Sequence, residues 1–108
     1  MLTLQMKQAI EDMSAWLSHP AELGRKPRRI ACAGMFVQND LNYYIIKFKC
    51  SILGPWIVGV CGGYEGNSLK NCGQAFSQMN VYRPETAERD CRDMVEMISN
   101  YWIQRMNQ

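Results

Sequence analysis

The densest charge in the sequence is the run Arg25-Lys26-Pro27-Arg28-Arg29, four cations in five residues. Cations at this spacing can grip phosphates, so Arg25, Lys26, Arg28 and Arg29 are the first candidates for nucleic-acid or phosphate binding. The net charge is only +2 over 108 residues, which falls short of a strongly basic binder. A grip on single strands also calls for aromatic faces beside the cations. Tyr43 and Tyr44 are available, but one of them is needed inside. A solvated loop is the simpler assignment. The second candidate is Gly62-Gly63-Tyr64-Glu65-Gly66, whose backbone N–H groups suit an anion. It lacks the Gly-Lys-Ser/Thr ending of a phosphate loop and does not open a helix as a dinucleotide fingerprint does. A bulge and a turn between two strands account for these glycines more simply.

His19 is the single histidine and the one side chain whose unperturbed pKa lies near neutrality. A general base needs a nucleophile or carboxylate beside it, and none is evident. At the C-terminal end of a helix an imidazolium also complements the dipole, so capping is the expectation. The five cysteines, Cys32, Cys50, Cys61, Cys72 and Cys91, form no C-x-x-C pair and no zinc spacing. Each falls inside an expected strand or helix and reads as a buried, reduced, small hydrophobe. Glu22 and Glu65 are lone, solvent-facing carboxylates. Glu85, Glu88, Asp90, Asp93 and Glu96 alternate with Arg89 and Arg92 as a solvated helix face does. No catalytic or metal-ligating set emerges, no cofactor is expected, and the residue types favour a binding module over an enzyme.

The elements that position these groups centre on residues 41–63. Two apolar runs flank the turn Ser51-Ile52-Leu53-Gly54-Pro55, which reads as a hairpin. Strand alternation puts Tyr44, Ile46, Phe48 and Cys50 on one face, and Tyr43, Ile45, Lys47 and Lys49 on the other. In the next run Trp56, Val58 and Val60 alternate with Ile57, Gly59 and Cys61, apolar on both sides as a central strand is. Upstream, residues 3–18 carry Leu2, Met6, Ala9, Ile10, Met13, Trp16 and Leu17 at helical spacing, with Thr3 as N-cap and Pro20 as stop. Pro20 to Gly24 suit one turn closed by the glycine. Residues 29–38 read as a first strand with Ile30, Cys32, Gly34 and Phe36 on one face, and Asn39-Asp40 as its turn. Residues 70–79 make a more polar fourth strand, and Gly73 suits it to an edge. Residues 84–106 form the longest helix, opened by Pro84, with the stripe Ala87, Cys91, Met94, Val95, Ile98 and Trp102.

Short connections favour an antiparallel meander. The expected fold class is α+β: a single two-layer domain over residues 1–108, with an N-terminal helix, a four-stranded antiparallel meander and a long C-terminal helix. Both helices are expected on one face, leaving Tyr43, Ile45 and either Ile57 or Trp56 on the uncovered side. Apolar surface of that kind marks an interface, so the expected partner is a second copy or another protein, with nucleic acid at Arg25 to Arg29 as the alternative. Met79 and Met106 add adaptable contact surface. No run approaches the length of a spanning helix and no secretion signal opens the chain, so a cytoplasmic protein with no membrane partner is expected.

The stretches HPAELGRKP, GPWIVGVCGGYEG, CGQAFSQM and MVEMISNYW together resemble a group of short uncharacterised bacterial proteins, from about His19 to Trp102. The resemblance implies a bacterial, cytoplasmic, single-domain protein and brings with it no functional residue.

Overall fold

The computed structural model describes residues 2–107, apart from the side chains of Asn71, Cys72 and Trp102. The expectations placed on Cys72 and Trp102 therefore lie outside the described residues. The order is α1 (Leu4–Leu17), β1 (Arg29–Gln38), β2 (Leu41–Lys49), β3 (Ile57–Glu65), β4 (Ser68–Val81) and α2 (Ala87–Met106). The four strands form one antiparallel meander in the order β1-β2-β3-β4. The α+β class, the element order and the meander are those expected.

Local chemistry sets the boundaries. The Thr3 hydroxyl accepts from the Met6 N–H at 3.1 Å and caps α1, satisfying one of the donors a helix start leaves open. Asn39 and Asp40 both take positive φ, 54° and 63°, the geometry of a tight hairpin turn that matches strand twist. At the end of α1 the chain reverses through a turn in which the Gly24 N–H donates to the His19 carbonyl at 3.1 Å, with φ 71° at Gly24.

The layering differs from the expectation. Ala9, Met13 and Leu17 of α1 pack with Tyr44, Ile46, Phe48, Ile57, Cys61 and Tyr64. Ala87, Cys91, Met94 and Val95 of α2 pack with Phe36, Tyr43, Ile45, Val58 and Val60. Tyr44 and Tyr43 point to opposite faces of β2, so the helices cover opposite faces. The domain has three layers, helix–sheet–helix, and two cores. The cause is already present in the central strands: β2 and β3 are apolar on both sides, and each apolar face needs its own cover. Gly59 marks the middle of the sandwich. A Cβ there would meet the Met13 Cε of α1 at 2.5 Å, while the Cys91 thiol of α2 donates to its carbonyl oxygen at 3.4 Å.

Two bulges change which side chains face which helix. Between Cys32 and Gly34 the register of β1 against β2 slips by one residue at Ala33. A one-residue slip exchanges faces, so Ile30 and Cys32 pack towards α1 and Phe36 towards α2, not on one face as alternation alone predicts. At Gly63, with φ 90°, β3 slips against both neighbours and turns Tyr64 towards α1.

Candidate functional site

The three residues expected to form an open partner face are inside the sandwich. Tyr43 and Ile45 lie beneath α2, 2% and 6% exposed, and Ile57 lies in the α1 core at 9%. Tyr43 stacks on Phe36 at 5.5 Å and 14°, and Arg92 of α2 sits 4.8 Å over the Phe36 ring. The sheet face on which that interface depended is roofed by the chain's own C-terminal helix.

The Gly62-to-Gly66 stretch is not a loop of free N–H groups. Gly62 and Gly63 belong to β3, Gly62 pairs with both Tyr43 and Gly73, and only Gly66 and Asn67 make the turn. His19 organises the turn after α1: its Nδ1 accepts from the Ala21 N–H at 3.2 Å. The cations Arg25, Lys26, Arg28 and Arg29 are all exposed. The Arg28 N–H donates to the Lys49 carbonyl at 2.9 Å, and Arg29 pairs opposite Lys49, so the linker is laid against the end of β2. There Arg29, Lys47 and Lys49 crowd one indole, with charge centres 5.6, 4.8 and 5.1 Å from the Trp56 ring centroid. Lys47 also lies 5.2 Å over Tyr82. Strand alternation placed Lys47 and Lys49 on one face, but nothing in the spacing pointed to Trp56 as their shared platform.

One partly buried polar cluster lies between α1 and the sheet. The Tyr64 hydroxyl donates to Asp12 Oδ2 at 2.6 Å and lies 3.6 Å from the Cys61 sulfur, to which Gln74 Nε2 donates at 3.7 Å. Burial raises the Tyr64 phenol well above its ordinary range, and the bond to Asp12 raises it further. The group is held as a proton donor that ties β3 to α1. In the other core, burial and then the charges of Asp90 and Glu88 push the Cys91 thiol up to about 12, which keeps it protonated and unreactive. Among the described cysteines, Cys32, Cys50 and Cys91 are free thiols.

One site with open space lies along β4. This strand has a neighbour on one side only, so its outer row of backbone groups is unpaired within the sheet. Both helices overhang that edge. A groove of about 670 Å³ runs round it, lined by Trp16 and Glu22 on the α1 side, by residues 74–77 and Asn80 of β4, and by Asp90, Asp93, Met94, Met97, Ile98 and Tyr101 of α2. Trp16 meets Phe76 edge-on at 5.5 Å and 81°, and Phe76 meets Phe48 in the same way, which anchors one wall in the α1 core. Met97 is 71% exposed on the other wall. The ladder of β4 with β3 is regular only from Gly73 to Phe76, with register breaks on both sides. Among charged residues the lining holds three carboxylates and no cation. Composition had marked this strand as an edge. The groove was not legible, because Trp16 and Met97 are far apart in sequence and line one groove only once each helix has taken its own face.

Compared with protein-family models, with curated proteins and with solved structures, the chain matches none.

Proposed function

We propose that the protein is a peptide-binding module that takes an extended, apolar and basic segment of another protein along the free edge of β4. The groove round that edge is the observation that carries the proposal. Its volume falls within the span of ordinary ligand sites, roughly 300 to 1,000 Å³. Strand addition supplies main-chain hydrogen bonds from the edge, and pockets on either side select alternate side chains. Trp16 and Phe76 offer an aromatic pocket on one side of β4, and Met94, Met97 and Ile98 an adaptable one on the other. Methionine side chains suit a surface that accepts more than one sequence.

The charge of the groove favours a foreign segment over a second copy. Pairing β4 with β4 about a two-fold axis would bring Glu22, Asp90 and Asp93 of both copies together, an arrangement of like charges that disfavours the pair. The register breaks beside Gly73 and Phe76 limit the window for strand addition and guard against indiscriminate edge pairing. The test is selection of random linear peptides displayed on phage. Enriched sequences are expected to alternate apolar and Lys/Arg residues and to lose binding to an Asp93→Lys, Met97→Lys double variant. Both positions are exposed on α2, so the variant should keep its stability to within about 0.5 kcal/mol. Peptides that bind the double variant as well as the parent, or no enrichment at all, would refute the proposal.

A further inference from the structure

The turn between β2 and β3 carries an apolar tip at the basic end of the sheet. Ile52 and Leu53 are 63% and 97% exposed. Single exposed apolar residues are common, but this adjacent pair stands at the end of a turn and is backed by charge. Arg25 and Arg28 share one shallow depression with residues 50–53, and Arg29 and Lys49 lie just behind, paired across the first strands. Among the described residues the one ion pair is Arg92 with Glu88 on α2, so no carboxylate neutralises this end.

We infer that this end docks on an anionic phospholipid surface, with Ile52 and Leu53 entering the headgroup–acyl boundary and Arg25, Arg28, Arg29 and Lys49 held at the phosphates. The pairing of an apolar tip with a ring of cations is what such a surface rewards: buried apolar area and attraction to anionic lipid act together. Single-stranded nucleic acid fits less well. It needs bare aromatic faces for its bases, whereas the Trp56 ring already faces three cations, and a fully exposed leucine contributes nothing to a grip on phosphates. The expectation of no membrane partner rested on the lack of a spanning segment. No helix among the described residues is long and apolar enough to cross a membrane, which leaves attachment to a surface untouched. The depression and the groove at β4 share no lining residue, so the inference is independent of that groove.

The experiment is co-sedimentation of the full chain with vesicles of phosphatidylcholine alone and of an equal mixture with phosphatidylglycerol, beside a mixed-sequence single-stranded DNA arm. Binding is expected to the mixed vesicles only and to weaken as salt is raised. Replacing one of the four cations by serine should lower partitioning about fivefold. An Ile52→Ser, Leu53→Ser double variant should lower it about tenfold and leave any DNA binding unchanged. In Leu53→Trp, vesicles should shift the added emission to the blue. The inference is overturned if the parent ignores mixed vesicles at low salt, or if the tip double variant binds them as the parent does. DNA bound more tightly than vesicles, with no effect of the tip, would reassign this end to nucleic acid and overturn it too.

Discussion

Gly62→Ala is the substitution that tests the two-core sandwich most sharply from within. A Cβ at Gly62 would lie 2.6 Å from the Tyr43 Cα, 2.7 Å from the Asn42 carbonyl oxygen and 2.9 Å from the Tyr43 Cδ1. The first two are backbone atoms of the neighbouring strand, so no rotamer change relieves the contact. Overpacking of this kind costs about 1–3 kcal/mol, and a clash with backbone belongs at the upper end. Replacing glycine in a strand returns about 0.5–1 kcal/mol by restricting the unfolded chain. The net expectation is a loss of about 2 kcal/mol. For a chain of this length the unfolding entropy is about 0.23 kcal/mol/K, so the melting temperature should fall by about 9 °C. Gly59→Ala is the control. Its closest encounter is with the Met13 Cε at 2.5 Å, the far end of a flexible side chain, and the next are the Ala75 carbonyl oxygen at 3.2 Å and the Phe76 Cβ at 3.3 Å, so its loss should be the smaller of the two, about 1 kcal/mol. Urea unfolding of both variants, read by far-UV circular dichroism, gives the comparison. A Gly62→Ala variant as stable as the parent, or less damaging than Gly59→Ala, would refute the seating of Tyr43 across β3 beneath α2.

Other expectations follow from the buried polar groups and the helix faces. In the folded state the Cys91 thiol titrates near 12, against an ordinary value of 9.0. The folded chain thus keeps a proton that the unfolded chain loses, so the contribution is intact below pH 9 and declines as pH rises from there towards 12. The slope is about 1.4 kcal/mol per pH unit; Cys91→Ala should flatten the alkaline limb of a stability–pH curve, and an unchanged limb would contradict burial of the thiol. Tyr64→Phe removes the donor to Asp12 and should cost about 1–2 kcal/mol, with water replacing it at the partly buried carboxylate. A double-mutant cycle with Asp12→Ala in urea should show coupling, and strictly additive losses would remove that hydrogen bond from the account.

Much of the backbone was legible in the residues themselves. Thr3, Asn39-Asp40 and Gly24 sit where caps and turns demand their chemistry, and the alternation in β2 assigns every core residue of that strand to its correct face; α2, expected to open at Pro84, begins instead at Ala87 with Thr86 as its N-cap. What failed was long-range. The slip at Ala33 sends Phe36 to the opposite face from Ile30 and Cys32, and the slip at Gly63 sends Tyr64 away from Val58 and Val60. The glycines at 62 and 63 signal the second bulge, which forms at Gly63, but not that Tyr64 changes face as a result; the slip at Ala33 has no local signature that outweighs regular alternation. The choice between two helices on one face and one on each depends on which cover is energetically required. The double-sided apolarity of β2 and β3 holds that answer: each apolar face is covered by one of the chain's own helices. With α2 on the Tyr43 face, both faces of the sheet are covered by the chain's own helices, and the proposed peptide site lies at the β4 edge.

Amide hydrogen exchange along β4, with and without a phage-selected peptide, addresses the proposed function most directly. A bound segment that adds to the edge should slow the outward-facing amides of residues 73–77 by at least about tenfold, with smaller changes at Trp16 and Met97. Protection confined to β1, or peptide binding that leaves β4 exchange unchanged, would contradict strand addition at this edge.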